Sequence, residues 1–101
     1  MPLGAQGAKW GLYIFTLKPM HYVYRIRSIP YPDRYYTGHS SDLRARLEHH
    51  NGGCCDYTRP FAPWRVVWYS AFEDETKARE FEAYLKSGSG HAFAKKRLWP
   101  E

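Results

Sequence analysis

Two polar side chains of the first predicted helix, over residues 40–51, lie beside its apolar stripe and could act on a phosphate. At about 100° per residue, Arg46 and His50 fall in the same sector as Leu43 and Leu47 rather than opposite them. An arginine can bind a phosphate with two hydrogen bonds, and a histidine can transfer a proton near neutral pH. The predicted helix therefore offers both groups near one face.

A carboxylate stands in the same kind of position on the second predicted helix, over residues 74–86. Glu82 lies four residues after Ala78 and three before Leu85, beside the apolar stripe. A carboxylate there is costly without a partner, and it is a suitable ligand for Mg²⁺. A long side chain can also reach water from the edge of a stripe. Three such residues in one small domain nevertheless favour a phosphate site formed by Arg46, His50 and Glu82.

Two tyrosines on neighbouring predicted strands extend this candidate site. Tyr24 lies in an alternating segment, residues 21–27, and Tyr36 follows a proline-containing turn over residues 28–34. Their separation of twelve residues suits two strands joined by a short turn, so the two phenols can lie side by side. Tyrosine is also common in sheets for packing alone, and the pattern by itself favours that simpler explanation.

The segments that must position these residues alternate between strands and helices. Gly38 is predicted to end the second strand, and Gly88 and Gly90 are predicted to break the second helix. The most β-prone segment, residues 64–72, is expected to be the central strand. The predicted elements are strands over 21–27 and 35–37, a helix over 40–51, a strand over 64–72, and helices over 74–86 and 91–99. This order predicts an α+β fold with a small sheet over residues 21–99, after an N-terminal extension over residues 1–20.

The composition indicates one small domain with an anionic partner. The 101 residues include 15 Lys and Arg against 10 Asp and Glu, and nine are tyrosines. A net charge of +5 together with many aromatic rings favours nucleic acid as the partner. No apolar run approaches the length of about 18 residues that suggests a membrane span. Cys54 and Cys55 are adjacent and cannot staple the fold, so a reducing, cytoplasmic location is expected.

Taken in order, four short segments resemble the motifs of the GIY-YIG nuclease family, and most closely those of its small stand-alone bacterial members. They are Tyr22-Val23-Tyr24, Tyr36-Thr37-Gly38, the helix over residues 42–47 and the helix over residues 78–86. Tyr22 stands where the family motif has its first glycine, and Thr37 replaces the usual isoleucine. A closer literal match, Gly11-Leu12-Tyr13, lies too far before Tyr36 for a tight hairpin. The first half-motif is therefore placed on Tyr24.

The resemblance implies a three-stranded antiparallel sheet flanked by helices, and an endonuclease that hydrolyses DNA with one divalent metal, Mg²⁺ or Mn²⁺. In that reaction Glu82 would hold the metal, and Arg46 would offset charge that develops on the phosphate oxygens. Members of the family include repair nucleases, homing endonucleases and restriction enzymes, and some stand-alone members are similar to single-strand-directed endonucleases. Single-stranded or branched DNA is the favoured substrate here, because specific reading of a duplex needs a larger surface.

The resemblance also assigns the proton transfer, and here the residues leave alternatives open. Tyr24 would activate the attacking water, but a phenol with a pKa near 10 is a poor base. It would therefore have to pass its proton to His50 or to His39. Tyr36 would orient the water or the phosphate.

Two other functions compete with the nuclease. A catalytically inactive nucleic-acid-binding module would use the same basic and aromatic surface for charge and stacking. Residues 49–55 contain two His and two Cys that could bind structural zinc, although the adjacent pairs do not match the usual spacings. The basic residues predicted to contact nucleic acid are Arg25, Arg27, Arg44, Lys95, Lys96 and Arg97.

Overall fold

The computed structural model describes residues 19–100, which form a three-stranded antiparallel sheet with helices packed against it. Strand β1 spans His21–Ser28, β2 spans Tyr35–Ser40 and β3 spans Trp64–Phe72, in the sheet order β2-β1-β3. The predicted α+β class and the three-stranded antiparallel sheet are confirmed. The proposed N-terminal extension, including the Gly11-Leu12-Tyr13 triplet, lies almost wholly outside the described residues.

Strand β1 lies at the centre of the sheet, so the expectation that residues 64–72 form the central strand was wrong. β1 pairs with β2 on one side and with β3 on the other, and its residues from Val23 to Ile26 are all buried. β3 forms an edge, and several of its side chains are exposed or half-buried. Strand propensity follows side-chain shape and does not report how many neighbours a strand has.

The two faces of β1 contribute to separate parts of the core. Val23 packs with apolar residues of the two C-terminal helices, and Tyr24 and Ile26 pack with Trp64 on the other face. The register shifts between Arg25 and Ile26 where β1 pairs with β3. Tyr24 is consequently a core residue on the face packed by Leu43 and Leu47.

Strand β2 continues through Gly38 to Ser40, although Gly38 was predicted to end it. Gly38 pairs with Tyr24, and a Cβ at this position would lie 2.7 Å from the Tyr24 hydroxyl oxygen and 3.0 Å from the Tyr36 ring. Glycine is required here because the two tyrosine rings lie over its backbone. Its role is close approach within the strand rather than termination.

Three helices follow the predicted order. Helix α1 spans Leu43–Asn51 and α2 spans Glu75–Lys86, each capped by the aspartate that precedes it. α2 ends at Lys86, as predicted, and helix α3 spans Gly88–Arg97, so Gly88 and Gly90 lie in the first turn of a third helix that begins earlier than residue 91. Among residues 19–100, no helix has the length and apolar character needed to cross a membrane.

Gly90 explains why the last helix begins where it does. A Cβ at Gly90 would lie 1.7 Å from the Tyr84 carbonyl oxygen, so no other residue allows α3 to pack this closely on the end of α2. Ser87 caps α3 by accepting a hydrogen bond from the Gly90 backbone N–H. The junction between the two helices is therefore tight, and Lys86 lies directly before it.

The loop between α1 and β3 is closed at its base by Asn51. The Asn51 amide donates to the Trp64 carbonyl oxygen at 3.1 Å and accepts from the Trp64 backbone N–H at 2.6 Å. A 3₁₀ turn over Arg59–Phe61 lies within this loop. Thr58, just before that turn, is fully buried and accepts the Trp64 indole N–H on its carbonyl oxygen at 2.8 Å. The loop is thus anchored at residue 58 as well as at its two ends.

Candidate active site

A buried chain of hydrogen bonds runs from β1 through α1 into the anchored loop. The Tyr24 hydroxyl lies 2.8 Å from Nε2 of His50, and Nδ1 of the same ring lies 2.8 Å from Oγ1 of Thr58. Thr58 Oγ1 in turn donates to the carbonyl oxygen of Cys55 at 3.4 Å. The structure therefore brings the predicted Tyr24 and His50 together and adds Thr58, which the sequence did not single out.

The hydrogen bond at the Thr58 end determines which group donates and which accepts in the other two hydrogen bonds. Because the Thr58 hydroxyl donates to a carbonyl oxygen, its own oxygen accepts from the His50 Nδ1–H. Nε2 of the neutral ring is then the acceptor, and the Tyr24 O–H donates to it. His50 is oriented to receive the proton of Tyr24.

Burial and neighbouring charges set the protonation states of this pair. Burial lowers the pKa of His50, and the charges of Arg46 and His49 lower it further, so the ring is neutral near pH 7. Burial and the nearby Tyr36 raise the pKa of Tyr24 above its usual value, against the charge and hydrogen bond of Arg46, which lower it. Tyr24 is therefore a protonated phenol in the protein without substrate.

Tyr36 lies against both members of the pair. Its ring centroid is 5.1 Å from that of His50 and 6.4 Å from that of Tyr24. In the strand register Tyr36 pairs with Ile26, so the two tyrosines are diagonal neighbours on one face of the hairpin. The predicted side-by-side placement of the two phenols is found in this diagonal form.

Glu82 of α2 faces the sheet with both carboxylate oxygens hydrogen-bonded. Oε1 accepts from Nδ1 of His39 on β2, and Oε2 accepts from Nζ of Lys86 at 2.5 Å, one turn later on α2. Its side chain is 15% exposed. Burial raises the pKa of Glu82, but the bonds from Lys86 and His39 outweigh it, so the pKa is lowered and the group is ionised. Its charge reaches Tyr24, whose pKa it raises.

The donor set around Glu82 fits a divalent cation. An ionised carboxylate that accepts hydrogen bonds from Lys86 and His39 in a half-buried position already favours positive charge there. Mg²⁺ often takes only one or two carboxylates and completes its coordination with water and substrate phosphate. Within residues 19–100 no group of three or more His, Cys, Asp and Glu side chains could hold a metal by itself. Glu82 would thus share a metal with the substrate.

The same observation bears on the zinc alternative. His50 uses both ring nitrogens for Tyr24 and Thr58, and Cys54 and Cys55 are free thiols on the loop. In this part of the chain the four candidate ligands do not form a metal-binding group.

The basic residues predicted to contact nucleic acid lie in different environments. Arg25 is only 8% exposed, and its guanidinium lies 4.0 Å from the Tyr35 ring centroid and 3.5 Å from that of Trp99. Arg27 is half-buried and donates to the Pro32 carbonyl oxygen. The remaining predicted residues lie on helix surfaces and are exposed: Arg44, Lys95, Lys96 and Arg97.

Two residues of the site, Thr58 and Lys86, were missed by sequence reasoning. Lys86 follows Glu82 by four residues on one helix, which is the spacing of a stabilising Glu–Lys pair and could have been read as a signal. Thr58 carries no such signal, because its role depends on the fold of a loop that brings it to a residue eight positions earlier. His50 could be placed beside the core from its helix face, but its partner could not.

Comparison with known proteins identifies the family. Residues 20–96 match the family model described as the GIY-YIG catalytic domain. A UPF0213 protein of Clostridium perfringens is 35% identical over 68 residues, covering 66% of this chain and 71% of the relative. UPF0213 proteins of Listeria innocua and Streptococcus pneumoniae are 36% and 38% identical over 53 residues, covering 52% of this chain and 59% and 54% of the relatives. The chain belongs to the GIY-YIG family and has its nuclease-type domain.

Proposed function

We propose that this protein is a metal-dependent endonuclease that hydrolyses DNA phosphodiester bonds, with single-stranded or structured DNA as its substrate. The observation that carries the proposal is the buried Tyr24–His50 hydrogen bond, close enough to the ionised Glu82 for its charge to raise the pKa of Tyr24. A protonated phenol next to a neutral imidazole is an arrangement that can take a proton from water. We further propose a cytoplasmic protein, consistent with its two free neighbouring cysteines.

In the first step the water that attacks phosphorus gives its proton to the Tyr24 oxygen, while the Tyr24 proton moves to His50 Nε2. The 2.8 Å contact between these groups supports a direct transfer. The resulting imidazolium keeps its Nδ1–H bond to Thr58, which holds the ring in place during the transfer. Tyr24 thus acts as a relay and not as a free phenolate.

Through the charge of Arg46, the basicity of His50 depends on whether substrate is bound. Its charge lowers the pKa of His50 while no anion is bound. A phosphate bound to Arg46 neutralises part of that charge, so His50 becomes a better proton acceptor when DNA occupies the site. Arg46 also offsets the negative charge that develops on the non-bridging oxygens, an effect of about 3–4 kcal/mol for comparable preorganised donors.

Glu82 and Tyr36 would complete the site. Glu82 would hold Mg²⁺ or Mn²⁺, which supplies Lewis acidity at the scissile phosphate and at the departing oxygen. Tyr36, beside both His50 and Tyr24, would orient the water. The P–O3′ bond breaks, the departing oxygen takes a proton from solvent, and His50 returns its proton to solvent. The products are a 5′-phosphate and a 3′-hydroxyl.

A cleavage assay with matched variants tests this proposal. Labelled single-stranded, flap and duplex DNA are incubated with Mg²⁺ or Mn²⁺ and with wild type, Glu82→Ala or His50→Ala. We expect cleavage by the wild type alone, best on unpaired DNA, with a loss of at least about 100-fold in each variant. Glu80→Ala is the matched control, because Glu80 is an exposed carboxylate on the same helix. Equal cleavage by wild type and Glu82→Ala would refute the assignment.

The runner-up is a nucleic-acid-binding module without activity, which the exposed basic residues on α3 favour. Lys95, Lys96 and Arg97 lie together in the last turn of that helix. Metal-independent binding without cleavage on any of the substrates would support this alternative.

A further inference from the structure

A cleft of about 510 Å³ opens beside the candidate active site, between β2 and the junction of α2 and α3. Among its lining residues are Tyr36, which packs on His50, and Lys86, which binds Glu82. We call it the side cleft. Its volume falls within the range of about 300–1,000 Å³ that is typical of small-molecule sites. A phosphate between Tyr24 and Glu82 would therefore have this cleft as its immediate neighbour.

An exposed tyrosine stands at the mouth of the side cleft. Tyr57 is 59% exposed, and its ring lies 5.9 Å from that of Tyr36, centroid to centroid. The next residue, Thr58, is fully buried and held by His50 and Trp64. The backbone at Tyr57 is thus fixed by its neighbour, while most of the ring remains available for another planar group.

The interior of the side cleft combines aromatic rings with positive charge. Arg25 lies against Tyr35, and His91 packs edge-to-face on Trp99 at 5.1 Å between ring centroids. A smaller cleft of about 270 Å³ shares these four lining residues and adds Lys95. The two clefts together lead from the candidate active site to a lysine on α3, a path that suits a negatively charged backbone.

Aromatic surfaces and flanking cations together are the features that bind nucleotides of a single strand. Every base has a flat face that stacks on an aromatic ring, and the cations meet the phosphates on either side. A base in a duplex is stacked and paired, so it cannot enter such a cleft without leaving the helix. We propose that the side cleft binds one unpaired nucleobase next to the scissile phosphate, with Tyr57 as its stacking surface.

This inference rests on the proposed action on DNA, and it gives a structural reason for preferring unpaired strands. It is tested by binding without metal, so cleavage is not required. Fluorescence anisotropy in EDTA compares an oligothymidine with an abasic phosphodiester chain of the same length, which has the same charge but no bases. Wild type is expected to prefer the oligothymidine by at least about tenfold.

The Tyr57 ring is removed in Tyr57→Ala and kept in Tyr57→Phe. We expect Tyr57→Ala to lose most of the preference for bases and to bind the abasic chain as wild type does, while Tyr57→Phe retains the preference. Tyr31→Ala is the matched control, because Tyr31 is 50% exposed and lies outside the side cleft, against Phe61. Absence of any preference in wild type, or equal weakening of both ligands by Tyr57→Ala, would overturn the proposal.

The two proposals fail in distinguishable ways. If the protein prefers bases through Tyr57 but does not cleave with Mg²⁺ or Mn²⁺, the base site in the side cleft is supported and the nuclease proposal is refuted. If the protein cleaves through Glu82 but its binding does not depend on bases, the nuclease proposal is supported and the base site is refuted.

Discussion

The hydroxyl of Thr58 holds His50 in the tautomer that can accept a proton, and Thr58→Val removes it with little change in shape. In the variant the buried Nδ1–H of His50 faces a methyl group instead of an oxygen 2.8 Å away. Leaving a buried donor without a partner costs about 1–3 kcal/mol. For a domain of this size each kcal/mol lowers Tm by about 4–8 °C.

The same loss acts on the chemistry. The ring can relieve the unpaired N–H by moving its hydrogen to Nε2, which turns the acceptor facing Tyr24 into a donor. Because 1.4 kcal/mol corresponds to a factor of ten, a shift of about 1–3 kcal/mol depletes the accepting tautomer by roughly 5–150-fold. We therefore expect single-turnover cleavage to slow by about 10–100-fold in Thr58→Val.

Thr58→Ser separates this effect from lost stability. It keeps the hydroxyl and removes a buried methyl group, which costs about 1 kcal/mol. Its Tm should fall to a comparable extent, while its cleavage rate should stay within about twofold of wild type. The ¹⁵N chemical shifts of the His50 ring report the tautomer directly. Similar rates in the Val and Ser variants, or an unchanged tautomer in Thr58→Val, would show that Thr58 does not position the ring.

Three other substitutions test the close approach of Gly38 to Tyr24, the burial of the His50 ring, and the ion pair between Lys86 and Glu82. Gly38→Ala should lower the free energy of unfolding by about 1–3 kcal/mol, because its Cβ would lie 2.7 Å from the Tyr24 oxygen. In the control variant Gly88→Ala the added Cβ meets no atom within 4 Å, so Tm should stay nearly unchanged. The pKa of His50 is lowered in the fold, so its contribution to stability is complete above pH about 6.5 and is lost as the pH falls. His50→Gln removes this titration. As the pH is lowered, Tm should therefore fall less in His50→Gln than in wild type. Lys86→Met should tighten Mn²⁺ binding, measured calorimetrically without DNA, by up to about fivefold, because Lys86 occupies a Glu82 oxygen through a half-exposed ion pair of about 1 kcal/mol or less. Weaker Mn²⁺ binding, a steeper pH dependence in His50→Gln, or an undisturbed Gly38→Ala would contradict these expectations.

Helical periodicity singled out the candidate side chains, because it reports which residues share a face. Arg46, His50 and Glu82 were found beside apolar stripes, and the structure places His50 in the core and Glu82 at a half-buried position facing β2. Arg46 is exposed yet acts on Tyr24 and His50 through its charge. Local pattern was sufficient to place His50 and Glu82 beside the packed faces of their helices, because helices are determined locally.

The features that the sequence did not reveal depend on contacts between distant segments. The central place of β1 follows from pairing with two strands, and its polar Arg25 is buried where its guanidinium lies against Tyr35 and Trp99. Gly38 and Gly90 were taken as breaks, since close approach to Tyr24 or to the Tyr84 carbonyl cannot be read from neighbouring residues. Thr58 was missed for the same reason.

Two hydrogen bonds between Asn51 and the Trp64 backbone close the base of the loop between α1 and β3, so the loop is set apart from the sheet and helices. Within that closed segment only Thr58 reaches the relay, and the residues before it are mostly on the surface. Residues 54–57 can therefore vary in composition without displacing His50, whereas Gly53, with φ +77°, is restricted to glycine. Because Tyr57 lies in this segment, substitutions that alter the proposed base site would leave the hydrogen bonds of His50 in place.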